Sequence, residues 1–466
     1  MRPPKNEPRP LPRYVWSLLV AVSVVLLAAS LHRGLSSRPA DERTPDGRLV
    51  VEYWEKWSGF EAENMKVIVD DFNASQDRLH VRMLSIGGQI EQKFLLAASG
   101  GNPPDVIGLF DQNTLNFSER GALLPLDHLM ERDGLKRADY LPRVYNMGVH
   151  RGITWGLPSV PACLALHYNK RLFREAGLDP GRPPQTLKEL DEYAEKLTKR
   201  DASGKLVQLG FSPSDPGWWN PLWPTWFGGR IWDGVNRPTP VTPANIAAFE
   251  WAAGYPRKYG VKDLQAFRSA MTQFDTGQNS FISERVAMQL QGVYMFNFIE
   301  KYKPDLDYGV APFPAADPSL TDVTLVQADL LGIPRGARHV QEAWEFIRYV
   351  QRQEVMEKLC LLQKRFSPLA RTSEEFYEKH PNPNIRLFRR LAESPTGSEW
   401  PRTPMVNEYF DEMEAAYERI FLLRETPEES LRRVAARMEP RFAQREEKWN
   451  ALKDERLREW EANAPR

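Results

Sequence analysis

The first hundred or so residues alternate between two hydrophobic rhythms. Leu49-Val50-Val51-Glu52-Tyr53-Trp54 is a run of strand formers, and Leu79 to Leu84 alternates with the two-residue period of a strand. Between them Met65, Ile68, Val69 and Phe72 fall on one face of a helix. A second helical stretch reaches Gly100-Gly101, where glycine can take the left-handed cap conformation. Pro103 and Pro104 forbid its continuation. Val106 to Phe110 is then short, apolar and bounded by turn signals, as expected of a strand buried on both faces. Strand, helix, strand, helix, strand predicts right-handed crossovers and a parallel sheet, hence an α/β fold. Loops Lys56–Gly59, Ile86–Gln89 and Asp111–Asn113 then share the edge outside the strand ends, where such sheets bind ligands.

Further along, Cys163 to Phe173 predicts a strand running into a helix. Thr186 with Glu189, and Thr426 with Glu429, have the spacing of capping boxes ahead of helices. Phe281 to Phe298 predicts a helix, a strand end at Gly292-Val293-Tyr294 and another helix. Tyr308–Pro312 and Gly332–Pro334 read as return strands, and Ala343, Phe346, Ile347 and Val350 mark a further amphipathic helix. After Pro404 the chain is almost wholly helical and highly charged. Beyond Pro440, Phe442, Trp449, Leu452 and Trp460 are only loosely in phase, which reads as a solvated helix in preference to a docking helix for a partner.

Length and composition narrow the classes. The 466 residues exceed one compact core, so more than one lobe is expected. Lys and Arg number 62 against 62 Asp and Glu, which argues against a nucleic-acid partner. The two cysteines, Cys163 and Cys360, lie in apolar runs and read as buried thiols. The histidines are scattered, without metal-pair spacing, and no metal or other cofactor is expected. Arg2, Lys5, Arg9 and Arg13 precede an apolar run at residues 14–31, the pattern of an export signal or an uncleaved membrane anchor. A polar tether to residue 48 follows, and the remainder is expected outside the cytoplasm. Trp218, Trp219, Trp223, Trp226 and Trp232 crowd a loop-like stretch rich in Pro and Gly. So many indoles off any periodic face predict that some line a cleft.

Several motifs, in order, carry a family resemblance. Gly100 to Val106 has a Gly-rich turn, Pro-Asp and a buried strand. Tyr168-Asn169-Lys170 is followed by Phe173, Glu175-Ala176-Gly177-Leu178, Pro184, Thr186 and Glu189-Leu190. Trp226-Phe227-Gly228-Gly229, Val286-Ala287-Met288 with Gly292, and Gly332-Ile333-Pro334-Arg335-Gly336 with Ala343-Trp344-Glu345-Phe346 complete the set. From Leu49 to Met438 the chain resembles the extracytoplasmic solute-binding proteins of ABC importers, in the carbohydrate-binding group that includes maltose-binding protein. It departs from them in lacking the usual lipid-bearing cysteine. It also has Leu187 where tryptophan is usual, and Val326-Gln327-Ala328-Asp329 in place of a glycine-rich loop.

The resemblance implies a two-lobe periplasmic-binding-protein type II fold with hinge strands and a helical C-terminal region. Its expected parts are a signal or anchor and tether (1–48), lobe one (49–160, returning at 308–363), lobe two (161–307 and 364–440) and a charged helical tail (441–466). Hinges are expected at Gly156–Ala162 and Tyr308–Pro312. Trp57, Gln89, Asp111 and Gln112 are ligand candidates as residues of strand-end loops. Trp219 and Trp223 join them from the indole-rich stretch, Tyr294 and Trp400 by their place in the resemblance, and Asp329 and Arg402 complete the set. The expected function is capture of a mono- or oligosaccharide by a monomer that delivers it to ABC permease subunits. An anchored sugar sensor and a glycoside hydrolase are the alternatives; the second needs a carboxylate pair for which no local motif exists.

Overall fold

A computed structural model describes residues 41–269 and 276–465. The chain divides into two compact units after Val50. Of the first, residues 41–50 are described. Arg43 bridges Leu49, and the Thr44 carbonyl accepts the Gly47 N–H at 2.8 Å, so the end of the expected tether is a tight turn. The apolar run at 14–31 lies outside the described residues. Among the described residues, no helix is long and apolar enough to cross a membrane.

The second unit opens as the hydrophobic pattern predicts. β1 (Leu49–Glu55), α1 (Phe60–Ala74), β2 (Leu79–Ser85), α2 (Ile90–Ser99) and β3 (Val106–Phe110) follow one another. Their spatial order is β2-β1-β3, and β1 runs parallel to β3 with Tyr53 opposite Val106. α1 buries Met65, Ile68, Val69 and Phe72. α3 (Asp111–Glu119) leaves directly from β3, which brings Asp111 to the carboxyl edge of the sheet.

The strand that joins the two lobes is β4 (Leu157–Asn169), thirteen residues long and buried throughout. α4 (Leu187–Leu197), β5 (Met288–Gly292), α5 (Met295–Tyr302), β6 (Tyr308–Ala311) and β7 (Val326–Gly332) follow it. The first half of β4 pairs antiparallel with β7, from Leu157 opposite Leu331 to Cys163 opposite Val326. Its second half pairs with β5 and β6 instead. β7 also pairs with β3, so one curled sheet runs β6-β4-β7-β3-β1-β2, with β5 added on β4. The crossing therefore lies in β4 and β7. Tyr308–Ala311 pairs with Leu166–Asn169 at the far end of β4.

One apolar core gathers Leu164, Trp223, Trp226, Phe249, Leu290, Ala311, Phe313, Leu325 and Tyr417. Ala311, Phe313, Ala315, Val323 and Leu325 thus pack with Trp223, Trp226 and Phe249. Arg365 meets Glu61 of α1, and the Leu141 N–H donates to the Pro368 carbonyl at 2.8 Å. Cys163 and Cys360 are buried and free, as expected.

Thr186 caps α4 by accepting the Glu189 N–H at 3.1 Å, but the Glu189 carboxylate takes the Gln185 N–H at 2.8 Å, leaving the box half made. The second box is complete. Thr426 accepts the Glu429 N–H at 3.3 Å, and Glu429 accepts the Thr426 N–H at 2.9 Å. Thr426→Ala is expected to cost about 1 kcal/mol, read as a lower midpoint in urea at unchanged slope.

α6 (Val406–Phe421) and α7 (Pro427–Asn463) close the described chain. α7 is a continuous helix of 37 residues. Leu431, Val434, Met438 and Phe442 enter the core of the second lobe. The later turns then lie on the first lobe, where Trp460 stacks on Trp449 and meets the Trp155 ring edge-on at 4.8 Å. The expectation of a solvated tail is therefore overturned. Its apolar positions drift in phase because the helix changes the surface on which it packs.

Candidate functional site

The site is assembled by the loops that leave the carboxyl ends of β1 and β3 and by elements facing them from the second lobe. They enclose a cavity of about 930 Å³. Trp57 lies in the loop after β1, and its ring meets Phe110 edge-on at 5.0 Å. Asp111 and Gln112 open α3 beside it. Val160 and Ala162 of the crossing strand and Gln327 to Asp329 of β7 also line the cavity. Opposite stand Trp218, Trp219, Tyr294, Trp400 and Phe410, with the last two rings 4.2 Å apart. Tyr294 covers Gly292, where any Cβ would come within 2.2 Å of the ring, so that glycine is required by close approach.

Aromatic and ionised groups are thus set side by side. Asp111 is buried at the cavity wall and accepts the Gln112 N–H at 2.9 Å. Burial, aided by nearby Asp329, pushes its carboxyl up to about 7. Burial raises Glu61 as well, against the pull of Arg365. Asp329 accepts the Trp57 indole N–H at 2.9 Å and lies 3.4 Å from Lys56 and 3.5 Å from Arg365. The lining carries five carboxylates (Glu61, Asp111, Asp329, Asp411 and Glu414) against two cations, Lys301 and Arg365. Chemically this arrangement suits a solute with apolar faces and hydroxyl edges. Among the described residues, no group of His, Cys, Asp and Glu could hold a metal ion.

Of the ten residues singled out from sequence, Trp57, Asp111, Gln112, Trp219, Tyr294, Asp329 and Trp400 line this one cavity. Three do not. Gln89 is exposed, in the left-handed conformation that starts α2. Trp223 is 1 % exposed in the second lobe's core, where its N–H donates to the Pro213 carbonyl at 3.2 Å. Arg402 borders a small neighbouring pocket shared with Asp111 and Gln112, and donates to the Val149 carbonyl. Trp218, Phe60, Phe298 and Arg365 line the cavity without having been singled out. Trp218 stood in the indole-rich stretch, but no periodicity separates it from its buried neighbours. Arg365 carried no local signal, since its partners are distant in sequence.

Residues 61–357 match the family model described as bacterial extracellular solute-binding protein. The chain belongs to this family. Membership puts this solute-binding protein outside the cytoplasm. A binding protein of Brucella abortus is 24% identical over 424 residues, covering 90% of this chain and 96% of that one. The sn-glycerol-3-phosphate-binding periplasmic protein of the same organism is 27% identical over 159 residues, 33% of this chain and 37% of its own. Among solved structures, a protein crystallised with mannotriose has a TM-score of 0.73 and 26% identity, over 83% of this chain and 99% of its own. Family and neighbours alike are binding proteins.

Proposed function

We propose that this solute-binding protein captures a neutral carbohydrate, a mono- or oligosaccharide, between its lobes and hands it to the permease subunits of an ABC importer. The observation that carries the reading is a cavity of about 930 Å³ in which rings stand beside carboxylates and amides. Rings stack on the C–H faces of a sugar while polar side chains pair with its hydroxyls, and each buried hydroxyl left unpaired costs about 1–3 kcal/mol. At about 930 Å³ the cavity is near the top of the usual range for small-molecule sites, about 300–1,000 Å³, which favours more than one ring. The likeness to a protein crystallised with mannotriose supports the same class.

Closure would turn about β4 and β7. Ligand touching both lobes only when closed shifts that equilibrium by its differential affinity. The lobes in this reading are 51–160 with 333–393, and 164–325 with 398–442. A monomeric state and attachment to the cytoplasmic membrane through residues 14–31 belong to the same proposal.

An oligosaccharide panel tests it. Mannobiose, mannotriose or a related sugar should raise the melting temperature saturably without being consumed; at a hundredfold excess over Kd the gain is about 2.7 kcal/mol. Turnover would favour a hydrolase instead, and a response to glycerol phosphate alone would remove the carbohydrate. Trp218 is 45 % exposed, so Trp218→Ala should weaken binding about 10-fold or more while leaving the melting temperature of the free protein unchanged. An unaltered affinity would take Trp218 out of the site.

A further inference from the structure

Asp329 looks at first like a hydroxyl-pairing residue, since it lines the cavity. Its oxygens are already engaged. One accepts the Trp57 indole N–H at 2.9 Å and lies 3.5 Å from Arg365; the other lies 3.4 Å from Lys56. All three ionised side chains are nearly inaccessible, at 9%, 4% and 2%. Arg365 continues the chain of charges, reaching Glu61 at 3.4 Å, and its guanidinium sits 5.5 Å from the centre of the Tyr294 ring. Lys56 lies 5.8 Å from the Trp57 ring centre and 5.4 Å from that of Phe110. The backbone puts Asp329 where it can do this. It pairs with Phe110 across β7 and β3, and β4 carries an extra residue opposite it, between Pro158 and Pro161. Such bulges re-aim side chains beside functional sites.

We infer that the buried Asp329–Arg365 pair is a positioning device: Asp329 fixes the indole of Trp57 on the first lobe, and Arg365 supports the ring of Tyr294 on the second. Asp329 then acts on ligand through Trp57, not by touching it. Because Asp329 sits on a crossing strand, the angle of the stacking ring is tied to the hinge. The inference rests on the carbohydrate reading only for what the rings hold.

The test has one arm without ligand and one with it. In the wild-type protein, the Trp57 indole N–H, assigned by its loss in Trp57→Phe, should exchange at least about tenfold more slowly than in free tryptophan. Asp329→Ala should move that resonance and abolish the protection, while Asp329→Asn, which keeps an acceptor oxygen, should restore most of it. An unprotected indole in the wild type overturns the inference even if Asp329→Ala fails to fold. With mannobiose as probe, Asp329→Ala should weaken binding about tenfold in the wild type and add nothing in Trp57→Phe. Losses that multiply would mean Asp329 contacts the sugar itself, and would also overturn it. Should no oligosaccharide bind the wild type, the carbohydrate reading fails, and the exchange arm still decides the positioning role.

Discussion

Trp460→Ala should lower the melting temperature by about 3–5 °C, and truncation after Gln444 by at least as much. Trp460 is 3 % exposed, stacked on Trp449 and set edge-on against Trp155. Replacing a buried tryptophan by alanine costs about 3–5 kcal/mol. The unfolding entropy of a chain this long converts 1 kcal/mol into about 1 °C. Truncation also removes Arg445 from Glu119, Glu446 from Arg151 at 3.2 Å and Glu459 from Arg335. These exposed or half-exposed pairs add little individually, about 0–1 kcal/mol each. The lost apolar burial outweighs them. Since the first turns of α7 are built into the second lobe and its last turns lie on the first, the helix straps one to the other. Calorimetry on the truncated chain checks this, and an unchanged melting temperature would mean the last turns are not docked in solution.

Asp111→Asn should flatten the fall of stability between about pH 4 and pH 7. The carboxyl titrates near 7 in the folded chain against 3.8 ordinarily, because burial disfavours its charge. In that window the folded state holds a proton that the unfolded state has released. The contribution is therefore fully present below the ordinary value and is lost as pH rises through the folded one. The slope is at most about 1.4 kcal/mol per pH unit. The asparagine variant, with no charge to bury, should match the parent near pH 4 and exceed it at pH 7.5. Urea unfolding of both chains across that range measures the difference. Parallel pH profiles would mean that Asp111 keeps its charge in the folded protein.

Much of this was legible in residue order, for reasons that operate over a few positions. Two-residue and 3.6-residue periods laid out β1 through β3. Thr426 and Glu429 marked a helix start because a capping box closes within four residues. Asp111 was placed at the site because a buried strand must deliver its next residue to the sheet edge. The indoles were harder. Trp218, Trp219 and Trp223 lie within six residues in a stretch without period, so nothing local says that Trp218 faces the cavity while Trp223 fills the core.

Residue order alone carried the α/β alternation, the strand-end loops and the presence of aromatic surface beyond what a periodic face could bury. Packing settled which indoles meet the cavity, that Gln89 does not line it, that β7 pairs with the first half of β4, and that the last helix docks. The division has a physical cause. Hydrogen-bond periodicity and capping act between near neighbours, whereas the pairing of Asp329 with Trp57 and Arg365, or of Trp460 with Trp155, exists only once distant segments have been packed together.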